Sequence, residues 1–116
     1  MVGCANLENF TGISSEQHTF IHGDICDFDN LNKIMKRFKI KSVINFAAES
    51  HVDRSIMRSD PFVQTNVVGT QRLLDAAKEN NISRFLHIST DEVYGTLKKN
   101  DPAFKETHQI QPNSPY

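Results

Sequence analysis

Two adjacent carboxylates, Asp91 and Glu92, are the residues of this chain whose types and spacing indicate the most specific chemistry. Paired carboxylates can divide acid and base roles when their surroundings push their pKa values apart. Adjacent residues on a regular strand point to opposite faces, so both can reach one substrate only if the backbone turns out of the strand at Thr90. A solvated loop that carries two acids is the simpler alternative.

Polar or small residues also follow the other two predicted strands. In open α/β sheets, ligands bind beyond the carboxyl ends of the strands, so these positions are candidate ligand contacts. After the first strand, Asp24 could accept from a ligand amine or hydroxyl, or simply begin a turn. After the second strand, Ala47 and Ala48 would let a flat ligand lie against the backbone, although, for these two residues taken alone, close packing of a helix on the strand is the simpler explanation. Glu49 and Ser50 come directly after them.

The histidines and cysteines suggest less chemistry. His51 lies close to Asp53 and Arg54, but a histidine two residues from an aspartate more often makes a local hydrogen bond than a catalytic cluster. His87 alternates within a predicted strand, which favours a hydrogen-bonded residue over a ligand. The remaining histidines and the cysteines match no metal-ligand spacing, and two cysteines are too few for a disulfide scaffold: His18, His22, His108, Cys4 and Cys26.

Three segments rich in aromatic and β-branched residues predict strands: Thr19–His22, Ser42–Phe46 and Arg84–Ser89. Between the first two strands, apolar residues recur at the spacing of an amphipathic helix: Leu31, Ile34, Met35 and Phe38. Asp27 and Asp29 precede this stripe as candidates for the cap and for pairing with the helix dipole. Alternating strands and helices predict a parallel sheet with right-handed crossovers.

The second helix is predicted to start at Asp60-Pro61, with Asp60 as the cap, and to end near Asn80. Its apolar face is predicted to consist of Val63, Val67, Leu74 and Ala77. A loop is predicted over 49–59, before this helix. The segment 96–116 contains three of the four prolines and almost no periodicity, which indicates a long loop.

The composition limits the class of protein. The chain has 116 residues, of which 38% are hydrophobic, and a formal net charge of −1. This length suits about one domain. The near-neutral charge gives no indication of a nucleic-acid partner, and the apolar runs fall far short of the ~20 residues of a spanning helix. We therefore expect a soluble cytoplasmic protein with no membrane partner.

Four ordered motifs together resemble the nucleotide-sugar 4,6-dehydratases of the extended short-chain dehydrogenase/reductase family. They are Phe46-Ala47-Ala48-Glu49-Ser50-His51-Val52-Asp53-Arg54-Ser55-Ile56, Thr65-Asn66-Val67-Val68-Gly69-Thr70, Ser89-Thr90-Asp91-Glu92-Val93-Tyr94-Gly95 and Pro112-Asn113-Ser114-Pro115-Tyr116. The resemblance runs from Asn6 to the last residue. It implies an α/β fold: an incomplete Rossmann-type doubly wound parallel sheet of about three strands and two main helices, with a long C-terminal loop.

The resemblance also implies a reaction and its residues. NAD is the implied cofactor and dTDP-glucose the implied substrate, which loses water across C5 and C6 after oxidation at C4. Glu92 is then the base at C5, Asp91 the acid at C6, and Tyr116 the phenolate at C4. Thr90 and Ser50 are implied substrate contacts. The implied cofactor contacts are Asp24, Ile25, Phe46, Ala47, Ala48, Glu49, Ser50 and Thr65.

The same resemblance implies parts that this sequence does not contain. Residues 1–116 match a partial NAD-binding Rossmann domain, without the family's Gly-rich βαβ unit and without its C-terminal substrate domain. We therefore expect the isolated chain to be inactive, and the parent enzyme to be a homodimer. Two alternatives stay open: a non-catalytic remnant that binds nucleotide weakly or engages a partner, and a piece of a related epimerase or decarboxylase. The acid pair favours a dehydratase over an epimerase.

Overall fold

The computed structural model describes residues 7–14 and 16–116, so that Cys4 and Asn6 lie outside the described residues. The elements are, in chain order, a 3₁₀ turn (Leu7–Phe10), α1 (Phe28–Phe38), β1 (Ser42–Asn45), α2 (Val52–Met57), α3 (Asp60–Phe62), a π-helical segment (Val63–Gly69), α4 (Thr70–Glu79), β2 (Arg84–His87) and a second 3₁₀ turn (Asp91–Tyr94). None of the helices in these described ranges has both the length and the hydropathy needed to cross a bilayer.

Helix α1 forms as its sequence predicts. The Asp27 side chain accepts from the Asn30 backbone N–H at 3.0 Å, which confirms it as the N-cap. Lys36 and Arg37 lie in the last turn, where the helix dipole favours cations. The helix ends at Lys39, whose left-handed backbone (φ 51°) lets its N–H reach back to the last carbonyls.

The sheet of the described residues has two parallel strands, as alternation predicted, rather than three. Ser42 pairs with Arg84 and the register continues to Asn45 opposite His87. The predicted strand Thr19–His22 was wrong, since this segment is irregular and Phe20 and Ile21 are exposed. A strand needs a neighbour to accept and donate its backbone hydrogen bonds, and neither β1 nor β2 lies alongside this segment.

Helices α3 and α4 and the π-helical segment between them form one continuous helix over 60–79. The predicted cap Asp60 was wrong, because the Ser59 carbonyl already accepts from the N–H groups of Phe62 (2.9 Å) and Val63 (3.0 Å). Asp60 therefore lies inside the first turn. Pro61 is tolerated next to it because the first N–H groups of a helix have no intrahelical partner.

The predicted apolar face of this long helix was also largely wrong. Val63, Val67 and Leu74 are exposed, and only Ala77 of the predicted set is buried. The prediction assumed an unbroken period of 3.6 residues, whereas the turns over Val63–Gly69 are wider, so that residues before, within and after this segment do not share one face. The side chains that are buried along the helix are Phe62, Leu73, Ala76 and Ala77.

The core lies between α1, α4 and one face of the sheet. Met35 of α1 packs with Leu73, Ala76 and Ala77 of α4. Partly buried residues from α1, from both strands and from the connections that precede the strands surround them: Phe28, Leu31, Ile40, Val43, Ile82 and Phe85. The opposite sheet face, which carries Ile44 and Leu86, is exposed. The helices of this structure therefore cover one face of the sheet only.

The predicted loop over 49–59 contains a short helix, α2. This segment has no Gly or Pro before Pro61, and the fully buried Ser55 donates from its hydroxyl to the Val52 carbonyl at 2.6 Å. That bond satisfies the hydroxyl locally, which lets the helical turn be buried. The prediction of a long loop over 96–116 is confirmed, since that segment contains no helix or strand.

Candidate active site

Asn45 ties together the carboxyl ends of the two strands. It is 3% exposed, and its side-chain oxygen accepts from the Ala47 N–H at 3.0 Å. Its side-chain nitrogen lies 3.1 Å from His87 Nδ1, and its backbone carbonyl accepts from the Ile88 N–H at 3.0 Å. The interpretation of His87 as a hydrogen-bonded residue is thereby confirmed. The two strand ends, and the segments that leave them, are fixed relative to one another.

The segment that leaves β1 presents small and exposed side chains. Phe46 is 74% exposed, Ala47 and Ser50 are exposed, and Ala48 and Glu49 are half-buried. Because the two alanines have no atom beyond Cβ, a flat ligand could lie against this backbone. The role of this segment as a cofactor contact stays a prediction.

Asn66 holds this segment in place from the π-helical segment. Its side-chain oxygen accepts from the Glu49 N–H at 2.8 Å, and its side-chain nitrogen donates to the Glu49 carbonyl at 2.9 Å. Sequence reasoning did not assign Asn66 a role. One sequence signal could have indicated such a role: Asn66 lies in the middle of a predicted helix, where asparagine is unfavourable because its side chain competes with the helical backbone hydrogen bonds.

The turn that carries the predicted contacts Asp24 and Ile25 contacts the same π-helical segment through Ile25 and Cys26. Asp24 forms a turn in which its Oδ1 accepts from the Cys26 N–H at 2.8 Å, and the Cys26 thiol donates to the Gln64 carbonyl at 3.3 Å. A Cβ on Gly69 would lie 2.7 Å from Ile25 Cγ1, so the two residues are in tight contact. Burial raises the pKa of the Cys26 thiol, an effect that the bond to Gln64 partly opposes.

The π-helical segment is therefore the meeting point of the predicted cofactor contacts. It carries Thr65 itself, Gln64 and Gly69 contact the 24–26 turn, and Asn66 binds Glu49. π-Helical turns occur frequently at functional sites because they leave side chains and carbonyls in positions that a regular helix does not offer.

The acid pair lies in a 3₁₀ turn directly beyond β2. Thr90 is extended (φ −139°, ψ 155°), and its hydroxyl accepts from the Glu92 N–H at 3.2 Å and lies 3.4 Å from Asp91 Oδ1. The backbone therefore turns directly after Thr90, where the 3₁₀ turn begins at Asp91, and not at Thr90 itself as the sequence required. Asp91 is exposed and Glu92 is half-buried, so their surroundings differ.

Tyr116 packs against the helix at Phe62, whereas the acid pair lies in the 3₁₀ turn beyond β2. Its ring packs edge-on against Phe62 of α3, with the ring centroids 6.3 Å apart. Phe62 also lines a cavity of about 350 Å³ together with Glu49, Arg54, Met57, Arg58 and Pro61. Among residues 7–14 and 16–116, no hydrogen bond joins Tyr116 directly to Asp91 or Glu92.

His51, Asp53 and Arg54, for which the sequence favoured a local hydrogen bond over a catalytic cluster, lie at the start of α2. His51 is the N-cap residue of α2, where its side chain makes no capping bond, and Asp53 lies in the first turn of that helix. Arg54 instead lines the cavity beside Phe62. No group of three potential metal ligands occurs in the described part of the chain.

The family model described as GDP-mannose 4,6 dehydratase matches residues 3–116. The chain belongs to this family. It is 49% identical over 112 residues to a dTDP-glucose 4,6-dehydratase of Actinoplanes sp., which covers 96% of this chain and 34% of the relative. A dTDP-glucose 4,6-dehydratase of Neisseria meningitidis is 43% identical over 121 residues, with the same two coverages. The chain thus spans about a third of the length of the curated relatives it matches.

Solved structures show the same fold for this family member. The dTDP-glucose 4,6-dehydratase DesIV of Streptomyces venezuelae, solved with NAD bound, superposes with a TM-score of 0.80 at 43% identity, over 86% of this chain and 30% of that one. A UDP-glucose 4-epimerase of Brucella ovis in complex with NAD gives a TM-score of 0.79 at 30% identity, over the same shares. The expected fold class, an incomplete Rossmann-type α/β sheet, is confirmed.

Proposed function

We propose that this chain supplies the acid–base residues and part of the NAD site of a nucleotide-sugar 4,6-dehydratase that acts on dTDP-glucose. The observation that carries the proposal is the 3₁₀ turn of Asp91 and Glu92, which places two carboxylates at the carboxyl end of β2. The relatives whose names state this activity support it, as does the bound NAD in their solved structures. The chain corresponds to the middle of the NAD-binding domain.

The described residues fit one side of the dinucleotide. Ala47 and Ala48 leave the backbone beyond β1 open, and Asn66 fixes that backbone through Glu49. Ile25, next to Asp24, contacts the same π-helical segment at Gly69. In the proposed site, 46–50, Thr65, Asp24 and Ile25 hold NAD. When bound, NAD⁺ would supply the oxidation at the sugar C4, and the NADH so formed would supply the reduction at C6.

The acid–base steps are assigned to the residues of this chain. The Tyr116 phenolate accepts the proton of the C4 hydroxyl, and Thr90 donates a hydrogen bond to the C4 oxygen. The C4 ketone then acidifies the C5 proton, which Glu92 removes. Asp91 protonates the C6 hydroxyl, which leaves as water. The 3.4 Å contact from Thr90 to Asp91 is long for a hydrogen bond, so the hydroxyl is available to the substrate.

A chimera tests this proposal. In it, this chain replaces the aligned third of the Actinoplanes dTDP-glucose 4,6-dehydratase. With NAD⁺ and dTDP-glucose, the chimera is expected to form a product that has lost one water, measured by mass spectrometry. The matched control carries Asp91→Asn and Glu92→Gln together and is expected to bind NAD⁺ without forming that product.

The other outcomes separate the alternatives. A product with the mass of the substrate but a different retention time indicates epimerisation. A chimera that folds and binds NAD⁺ but converts nothing indicates a non-catalytic segment. Either result contradicts the proposed dehydratase.

A further inference from the structure

The C-terminal segment is fastened to the acid-bearing turn at two points. The Gln111 N–H donates to the Val93 carbonyl at 2.9 Å. The Asn113 side-chain nitrogen donates to the Thr96 hydroxyl. We refer to these two bonds, between 93–96 and 111–113, as the clasp.

Gly95 lies at the centre of the clasp and is required there for two reasons. Its φ of +90° is a conformation that residues with a side chain rarely adopt. A Cβ at this position would also lie 2.6 Å from the Gln111 carbonyl oxygen, which is backbone and cannot rotate away. A side chain at residue 95 would therefore force the two segments apart.

The loop that the clasp closes, over 97–110, has internal packing of its own. The Phe104 ring lies 5.1 Å from that of Tyr94 and 5.8 Å from that of His108, measured between centroids. A loop whose ends meet and whose side chains pack on one another is an Ω-loop, which behaves as a compact unit. The clasp therefore joins 93–96 to 111–113 across a packed loop and not across a loop without contacts of its own.

The clasp sets where Tyr116 can be. Tyr116 follows Glu92 by 24 residues, a length of chain that could span ~80 Å if extended. Once Asn113 is fixed to Thr96, only Ser114 and Pro115 separate it from Tyr116, and the three residue steps from Asn113 to Tyr116 span at most ~11 Å. The contact of the Tyr116 ring with Phe62 fixes the far end of that short segment.

We propose that Gly95, Thr96 and Asn113 are positioning residues that hold Tyr116 at a set place relative to the Asp91 and Glu92 turn. This inference rests on the proposed function, because it concerns the spacing between the proton acceptor at C4 and the acid–base pair at C5 and C6. Catalytic groups misplaced by about 1 Å can lose ~100-fold in rate. The clasp thus acts on rate through Tyr116 and does not contact the substrate.

Amide exchange and ring contacts in the chain itself test the geometry without any activity. Thr96→Val removes the acceptor for Asn113 and is expected to speed exchange of the Gln111 N–H about tenfold and to weaken the nuclear Overhauser effect between Phe62 and Tyr116. Thr96→Ser keeps the hydroxyl and should restore both signals. The Ile88 N–H, bonded to the Asn45 carbonyl, reports that the sheet end is intact. Unchanged exchange in Thr96→Val, or no rescue by Thr96→Ser, overturns the proposal.

Kinetics of the chimera test the consequence for rate. Gly95→Ala is expected to lower kcat about tenfold to a hundredfold, with KM changed less than about twofold. Gly12→Ala is the matched control, because Gly12 also has φ +90° but a Cβ there meets nothing within 4 Å. Equal kcat in the two variants overturns the positioning role. If the chimera without substitutions is inactive, the proposed function fails, and the catalytic part of this inference fails with it. Exchange of the Gln111 N–H in the chain itself still tests whether the clasp forms.

Discussion

The Asn66 side chain makes two hydrogen bonds to the backbone of Glu49: it accepts from the N–H at 2.8 Å and donates to the carbonyl at 2.9 Å. A primary amide is one of the few side chains that can satisfy a peptide N–H and a peptide carbonyl at once. Through this pair of bonds, the π-helical segment fixes the path of the chain as it leaves β1. The backbone beside Ala48 is therefore held in place before any ligand arrives.

Asn66→Asp tests this arrangement, because a carboxylate can accept from the Glu49 N–H but cannot donate to its carbonyl. We expect the free energy of unfolding of the chain to fall by about 1–3 kcal/mol, measured by urea denaturation. The exposed Asn100 lies in the irregular segment 96–116. Asn100→Asp is the matched control, and its free energy of unfolding is expected to change by less than about 0.5 kcal/mol. Equal losses in the two variants would show that the two-point bond contributes nothing to stability.

The contact between Gly69 and Ile25 leads to a second prediction. Gly69→Ala would place a Cβ 2.7 Å from Ile25 Cγ1 and 3.2 Å from Cys26 Sγ, so we expect a loss of about 1–3 kcal/mol in the free energy of unfolding. The same substitution in an Ile25→Ala background should be neutral or stabilising by up to ~1 kcal/mol, since alanine is the better helix former. A double-mutant cycle in urea measures the difference. Additive effects would contradict a steric origin.

The Cys26 thiol predicts how stability depends on pH. Burial raises its pKa, so the folded chain keeps the proton to a higher pH than the unfolded chain does. The contribution of this group is fully present below about pH 9, the ordinary value for the thiol, and is lost as the pH rises through the folded-state pKa. We therefore expect the free energy of unfolding to fall as the pH rises above about 9, and to fall less in Cys26→Ala. Parallel pH profiles of the two chains would assign the loss to other groups.

Much of the scaffold follows from local sequence signals. The Asp27 cap and the apolar stripe of α1 depend on nearby residues and were predicted, although Phe38 of that stripe is exposed. The parallel orientation of β1 and β2 was predicted from the alternation of strands and helices. The sequence showed that the backbone must turn near Thr90 if both acids are to reach one substrate. It did not predict that this turn occurs, because a strand end has no fixed sequence signature. The roles of Asp91, Glu92 and Tyr116 stay predictions from resemblance.

The features that escaped prediction depend on contacts distant in sequence. The π-helical segment is fastened at Gln64 by the thiol of Cys26, and at Gly69 by the side chain of Ile25. No periodicity in 60–79 reveals such contacts, so the face of α4 that is buried could not be derived from the helix alone. For the same reason, the apolar segment 19–22 looked like a strand, although strand formation depends on a neighbour that its own sequence does not specify.

A comparison within the packing of α1 on α4 separates buried polar contacts from exposed ones. Asn32 is 8% exposed, donates to Glu79 at 3.1 Å and accepts from Asn80 at 2.5 Å. Lys36 reaches the same Glu79 at 3.3 Å, but both side chains of that ion pair are about half exposed or more. We expect Asn32→Ala to lower the free energy of unfolding by about 1–3 kcal/mol and Lys36→Ala by less than about 1 kcal/mol. Equal losses in urea denaturation would contradict the dominance of the buried network.

The acid pair gives the prediction that bears most directly on function. In the chimera, Glu92→Gln removes the proposed base at C5 and Asp91→Asn removes the proposed acid at C6, while both amides keep the size of the side chain they replace. General acid–base groups typically contribute 100- to 10,000-fold, so we expect turnover of dTDP-glucose to fall by about that range in either variant. The Kd for NAD⁺ should change less than about threefold, because the proposed cofactor contacts lie at 24–25, 46–50 and Thr65.

The two substitutions should also differ in what they leave intact. Without the base, exchange of the C5 hydrogen with solvent deuterium stops together with elimination, whereas without the acid the C5 hydrogen can still be removed and exchange can outlast the loss of water. Mass spectrometry of recovered substrate in D₂O distinguishes the two. Deuterium uptake in Glu92→Gln but not in Asp91→Asn would reverse the assigned roles, and a matching loss of NAD⁺ affinity in both variants would make the turn a cofactor contact instead of an acid–base pair.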